Sequence, residues 1–297
     1  MEVNCEGCAG CCLDWRALSP LDDAEHGGRR RSIDDAANLA PLLREEVRSF
    51  VDADLGGALT PRLWSVESMA DAPATATVDG RRLAAIPDDD GGPPRPVFFV
   101  GLRTVPKPVA PFDGEPTWLP ACAFLDPATL QCRLHDDELY PATCADYPGA
   151  NLRLEAETEC ERVERVHGGD RLLDDEPPAR LRGLWLGPQA LGAKLFAHPD
   201  PDDLAGRIDR LAAGEPTPED RATFVGVAAG SAPGTASVDA ATAERYREAV
   251  LEGASWVDDA LADWRERAGA VGEDAPDPAL ARAVEDDRDA PPTPGWE

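Results

Sequence analysis

Four of the eight cysteines fall within eight residues, as Cys5-x2-Cys8-x2-Cys11-Cys12, and the other four, Cys122, Cys132, Cys144 and Cys160, follow in one later stretch. Thiolates two residues apart can converge on one ion in a tight turn while distant loops complete the shell. Zinc takes four such ligands. Iron–sulfur clusters also take four thiolates, and the ferredoxin run C-x2-C-x2-C-x3-C-P shares its first three positions with Cys5, Cys8 and Cys11. Two half-sites far apart in sequence therefore read as one composite metal centre. Cys12 directly follows Cys11, and neighbouring side chains tend to diverge. The spacing leaves open whether the two serve different metals, or whether one bridges or stays a free thiol. Eight thiolates suffice for two four-coordinate ions or for one cluster plus one ion. Gly7 and Gly10 lie between the ligands, where a missing Cβ lets backbone amides approach sulfur and permits positive φ.

The bulk composition bounds the setting of this chemistry. Acidic residues number 57 against 29 basic ones, a formal charge of −28, and only Lys107 and Lys194 are lysine. Aspartate runs such as Asp88-Asp89-Asp90, together with scarce lysine, resemble proteins adapted to multimolar salt in a halophilic archaeon. At ~1 M salt the Debye length is roughly 3 Å, so self-repulsion largely disappears. The acidity also argues against a nucleic-acid surface, because Arg29-Arg30-Arg31 is the one dense basic run. No stretch approaches the ~20 apolar residues that span a bilayer, and the N-terminus lacks a signal-peptide layout. The expectation is a cytoplasmic protein with no membrane or nucleic-acid partner. In a reducing cytoplasm clustered cysteines point to metal or redox chemistry rather than to disulfides.

The residues around the cysteines resemble a known family, the zinc- or iron-chelating cysteine-cluster proteins (YkgJ-like, CxxCxxCC). The first part of the match is Cys5-x2-Cys8-x2-Cys11-Cys12. The second runs Cys122-Ala-Phe124-Leu125, then Cys132-Arg-Leu134-His135, then Pro141-x2-Cys144-x2-Tyr147-Pro148. It covers about fifty residues, near 5–12 and 118–160. The resemblance implies Cys5, Cys8, Cys11, Cys12, Cys122, Cys132 and Cys144 as the cluster, with Cys160 as an eighth ligand. It supplies no reaction, although a flagellin lysine N-methylase looks like a relative, so catalysis stays open. One departure bears on the electrostatics: where the family has Arg-Pro before Cys144's counterpart, this chain has Tyr140-Pro141, and a charge that could neutralise thiolates is missing. His135 is close enough to Cys132 to ligate, but packing or a contact to a ligand is expected of it. His26, His167 and His198 are expected at the surface. Trp118, Phe124, Tyr140 and Tyr147 are expected to wall the centre from water.

Around these blocks the sequence predicts a helix over 32–55 with Ser32 as N-cap and a kink at Pro41. It predicts a hairpin turn at Val78-Asp79-Gly80-Arg81 and a strand at Val97–Val100. Five prolines in 106–121 imply extended chain. Helices are expected near 178–197, 201–213, 217–229 and 239–268. In the last, Ala240, Ala243, Tyr246, Val250, Ala254, Val257, Leu261 and Trp264 form one packing stripe. The fold class is α+β: a loop-rich, metal-centred core with a small β-hairpin, plus a mainly helical C-terminal region. The expected division is 1–168 for the cysteine-cluster domain, 169–271 for the helical region and 272–297 for a disordered acidic tail.

No P-loop, GxGxxG, HExxH or GxSxG motif occurs. The leading reading is a metal-binding protein chelating zinc or iron, the latter also as an iron–sulfur cluster. Two alternatives are an iron–sulfur-dependent enzyme, methyltransferase-like or redox, and a non-catalytic interaction module folded by zinc, which can supply ~10–16 kcal/mol.

Overall fold

The computed structural model describes residues 1–5, 7–19, 32–37, 40–66, 74–88, 91–271 and 275–293. In chain order its strands are β1 (Glu2–Val3), β2 (Leu59–Leu63), β3 (Ala74–Val78), β4 (Arg81–Ile86), β5 (Arg95–Leu102), β6 (Thr104–Val109), β7 (Thr117–Cys122), β8 (Leu125–Asp126), β9 (Gln131–Cys132), β10 (Leu172–Asp174) and β11 (Phe196–Ala197). Its α-helices are α1 (Arg44–Asp52), α2 (Ala142–Ala145), α3 (Gly149–Arg153), α4 (Glu159–His167), α5 (Arg207–Ala212), α6 (Pro218–Gly230), α7 (Ala240–Glu252), α8 (Trp256–Val271) and α9 (Ala281–Val284). The fold is α+β with antiparallel sheets and a helix-rich C-terminal part. No helix among the described residues is long and apolar enough to cross a membrane.

The chain forms two compact units from alternating segments: 1–26, 103–184 and 255–297 in one, 27–102 and 185–254 in the other. This division falls elsewhere than at the expected boundaries 168 and 271. All eight cysteines lie in the first unit.

In that unit the proline-rich stretch forms a paired hairpin, β6 with β7, in register from Thr104 opposite Cys122 to Val109 opposite Thr117. Pro106 faces Pro120. Alternate residues of an antiparallel ribbon point their N–H away from the partner strand, so prolines two apart forfeit no ladder bond. The outer edge of β7 binds the end of the first cysteine block: the Asp14 N–H donates to Pro120 O at 2.9 Å and the Cys122 N–H to Cys12 O at 2.8 Å. At the other end of that block β1 pairs with β10, and the Asn4 N–H donates to Arg171 O at 2.7 Å. The residues from Cys5 to Cys12 are thus tethered on both sides. Helix α8 packs on β6, with Trp264 edge-on to Trp118 at 6.3 Å between ring centroids. Helix α4 starts where it does because Thr158 and Glu161 form a capping box, the Glu161 N–H donating to Thr158 Oγ1 at 3.1 Å and the Thr158 N–H to Glu161 Oε2 at 2.7 Å. Cys160 is thereby set in the first turn. The acidic tail is not without structure: residues 278–288 form short helical turns, with Ala281, Val284 and Glu285 buried. Ion pairs of Glu285 and Asp286 to residues distant in sequence help to hold it, which composition does not reveal.

In the second unit β5 is central, pairing with β2, β4 and β11, and β3 pairs with β4. The β3–β4 turn is the expected one, Asp79 and Gly80 both at positive φ, 52° and 76°. The helix expected from Ser32 begins only at Arg44. Pro41 disfavours helical geometry at the residue before it, and the chain there is extended, with Pro41 bridging Gly101 and Ser32 bridging Trp64. The segment 178–197 is not a helix either. Pro177, Pro178, Gly183, Gly187, Pro188 and Gly192 leave only a 3₁₀ turn at Gly187–Ala190 and the strand β11. The stripe from Ala240 to Trp264 is split at Gly253–Ser255 into α7 and α8, which belong to different units. Helix α6 is buried on nearly every side, and a Cβ on Gly226 would stand 2.4 Å from Ala243 O, so glycine is what lets α7 approach.

Asp220, fully buried in the first turn of α6, accepts from Arg210 Nε at 2.6 Å, Arg210 Nη2 at 2.7 Å, Arg207 Nη1 at 3.0 Å and the Thr217 N–H at 3.0 Å. Burial alone would raise its pKa, but these donors outweigh it and hold the carboxyl at about 2, below the ordinary 3.8. A folded pKa below the unfolded one gives stability that is full above about pH 4 and lost as pH falls towards 2. Because Arg210 is half-exposed, the expected contribution is on the order of 1 kcal/mol. Urea titrations of Asp220→Asn at pH 7 and pH 3 check this: the deficit of the variant should shrink at the lower pH, and an equal deficit at both would refute it.

Candidate metal centre

The eight cysteines are free thiols. Cys5 follows β1 and is exposed, while Cys8 is buried in an apolar cluster with Leu13, Trp15, Leu119 and Val163. Cys122 ends β7, Cys132 ends β9, Cys144 sits in α2, and Cys160 is buried in α4. Gly7 takes φ +65°, and the Gly10 N–H donates to Cys8 Sγ at 3.3 Å, the two uses expected of these glycines. A Cβ on Gly10 would stand 3.1 Å from that sulfur. The Cys11 and Cys12 side chains do not diverge: their sulfurs lie 3.8 Å apart. Cys11 is solvent-exposed.

The Cys11–Cys12 pair lies at the centre of the interactions among the thiols. Burial raises the thiols of Cys5 and Cys8 to about 11 and those of Cys132 and Cys160 to about 12, and the neighbouring Cys11 adds to each of these shifts. Cys122 is pushed up in the same way. Within the Cys11–Cys12 pair the mutual hydrogen bond pulls Cys11 down and drives Cys12 up. Cys12 also feels Cys122 and Cys132, whereas Cys160 feels Cys8 and Cys5. The thiols therefore form two sets, Cys11, Cys12, Cys122 and Cys132 in one, Cys5, Cys8 and Cys160 in the other, with Cys11 felt by both. Cys144 lies beside Tyr140, which also feels Cys132, Cys11 and Cys12.

Backbone amides oppose burial at four of the sulfurs, those of Gly10 at Cys8, Cys11 at its own sulfur, Phe124 and Leu125 at Cys122, and Leu134 at Cys132. At Cys8, Cys122 and Cys132 the residue two positions on takes part, the pattern of a loop wrapped around a thiolate. Two cations contribute as well: Arg171 lowers Cys5 and Cys8, and Lys107 lowers Cys122 and Cys132. Neither was foreseen from sequence, yet Lys107 carried a signal, being one of two lysines in a chain that otherwise uses arginine.

Of the four expected wall aromatics, Tyr140 and Tyr147 lie beside the thiols; burial first and then the nearby cysteines push both hydroxyls up. The Tyr147 hydroxyl oxygen accepts from the Glu159 N–H at 2.6 Å, next to Cys160. Trp118 and Phe124 instead meet Trp264 and Trp256 of α8. His135 is exposed and stacks edge-on to Tyr140 at 5.3 Å, in line with packing. His167 is exposed, beside Trp15 and Phe112. His198 corrects expectation: it is 2 % exposed, because β11 draws it into the sheet, where its N–H donates to Pro96 O and its ring meets Phe224. His26 and the Arg29–Arg31 run lie outside the described residues.

Among the described residues no three His, Cys, Asp or Glu side chains converge closely enough to hold a metal as they stand. The donor set nevertheless suits a soft cation, since eight reduced thiols gather in one unit and repel one another when ionised. The Trp15 indole N–H, buried and without an acceptor among the described residues, lies beside the same loop, 3.3 Å from where a Cβ on Gly10 would be.

These features define an α+β protein with a thiol-rich unit. The chain belongs to the family of unknown function DUF7531, whose model matches residues 1–297. No curated protein and no solved structure matches it.

Proposed function

We propose that the first unit is a cytoplasmic thiolate centre that binds zinc or iron, with Cys11, Cys12, Cys122 and Cys132 as one four-thiolate set. One observation carries the reading. The Cys12–Cys122 backbone bond joins the two cysteine blocks, and beside it Cys11 and Cys12 present sulfurs 3.8 Å apart. A tetrahedral ion with metal–sulfur bonds of about 2.3 Å has sulfurs about 3.8 Å apart, so the pair already has the span of one edge. The Cys122 and Cys132 thiols, each in the field of that pair, supply the opposite edge. Cys5, Cys8 and Cys160 supply a second thiol set adjoining Cys11. A bound cation would neutralise thiolates that otherwise repel one another; zinc would do so structurally, and an iron–sulfur cluster would add electron transfer.

The test is to purify the protein anaerobically in high KCl, measure metals and sulfide per chain by plasma mass spectrometry and colorimetry, and take a spectrum from 300 to 600 nm. At least one zinc or iron per chain is the expected result. A brown iron- and sulfide-containing protein selects the cluster form, and a colourless zinc protein selects the structural form. A protein without metal that also takes up neither Zn²⁺ nor Fe²⁺ refutes the reading.

A further inference from the structure

The most deeply buried charges of the cysteine unit lie behind the second cysteine block and not among its thiols. Lys107 and Glu285 are both fully buried, and Lys107 Nζ meets Glu285 Oε1 at 2.6 Å. The same ammonium donates to Ala123 O at 2.8 Å and Leu125 O at 2.6 Å, the carbonyls of the loop that follows Cys122. The other oxygen of Glu285 accepts from Arg133 Nε at 2.9 Å, and Arg133 directly follows Cys132. Trp264 Nε1 completes the carboxylate's partners at 2.7 Å. The C-terminal segment adds further contacts: Arg133 donates to Asp286 Oδ1 and to Pro291 O, each at 2.8 Å, and Thr293 Oγ1 donates to Asp126 Oδ2 at 2.8 Å.

One carboxylate is thus bonded to two cations, and each cation holds the backbone beside one cysteine. The charges are out of reach of solvent, so screening by salt does not loosen them. We propose that Glu285 is a positioning residue for the second cysteine block, fixing the Cys122 loop through Lys107 and the Cys132 turn through Arg133, so that the C-terminal segment sets how these two thiols face Cys11 and Cys12. The consequence for metal affinity rests on the thiolate-centre reading. The positioning itself does not.

The experiment uses the full chain in metal-free, reduced form, with N-ethylmaleimide labelling of each cysteine followed by peptide mass spectrometry. In Glu285→Gln, labelling of Cys122 and Cys132 should quicken roughly tenfold as the loops open locally, while Cys5, Cys8 and Cys160 change by less than about twofold. Arg133→Lys keeps the charge and loses the guanidinium fork, so it should quicken Cys132 alone, and it serves if Glu285→Gln does not fold. Zn²⁺ affinity, measured by chelator competition, should fall about 10- to 100-fold in Glu285→Gln, as for groups that orient ligands. Unchanged labelling at Cys122 and Cys132, or an equal rise at all eight thiols, overturns the proposal. Selective labelling in a chain that takes up no Zn²⁺ upholds the positioning and defeats the metal reading instead.

Discussion

Serine in place of Cys11 is expected to weaken metal binding by more than about 100-fold, because even groups that only orient a ligand cost about 10- to 100-fold when removed. Cys11 is the thiol whose charge reaches members of both sets, and with Cys12 it forms the one pair already at chelating distance. A serine hydroxyl keeps the shape but replaces a soft sulfur by a hard, weakly acidic oxygen that zinc and iron in thiolate sites hold poorly. Cys144→Ser is the contrast. Its thiol lies beside Tyr140 and is not part of the proposed four-thiolate set, so its loss should change affinity by less than about tenfold. Chelator-competition titrations of both variants check the ordering, and equal losses would show that the four-thiolate set is drawn wrongly.

Lys107→Met should be the most destabilising single change in the cysteine unit, by about 3–5 kcal/mol, the usual cost of breaking a buried ion pair from one side. The loss has two parts. Glu285 would keep Arg133 and Trp264 but lose a 2.6 Å contact, and the carbonyls of Ala123 and Leu125 would lose a common donor. Unmet buried acceptors cost about 1–3 kcal/mol each. Adding Glu285→Leu should recover part of the loss, since the buried carboxylate that has lost one of its two cations goes, while Arg133 would keep Asp286 and Asp126 as acid partners. Denaturant unfolding at fixed KCl gives both numbers. A loss below about 1 kcal/mol for Lys107→Met would mean that water reaches the pair and that it behaves as a surface bridge.

What could be read from the sequence followed local rules. The Asp79–Gly80 hairpin, the helices near 201–213 and 217–229, and the apolar face of Val47, Phe50 and Val51 are written in turn residues, caps and periodicity. The misreadings come from features that local patterns do not encode. Prolines at 106, 108 and 120 gave the extended chain but not its pairing, which their register allows by placing them where no ladder bond is needed. A stripe running through Gly253 keeps its phase while the chain changes units. The tail reads as disordered because its burial involves one carboxylate finding Lys107 and Arg133, both more than 150 positions away. The same holds for the site. The cysteines announce themselves, but the residues that neutralise and position them, Lys107, Arg171 and Glu285, have no spacing relation to them and emerge only from the fold.

The central claim is that one ion is held by sulfur alone, and X-ray absorption at the edge of whichever metal co-purifies tests it most directly. A shell of four sulfurs at about 2.3 Å is the expected result for the wild type, falling in sulfur count in Cys11→Ser. A first shell made of nitrogen and oxygen, or a wild-type spectrum that Cys11→Ser leaves unchanged, would contradict it.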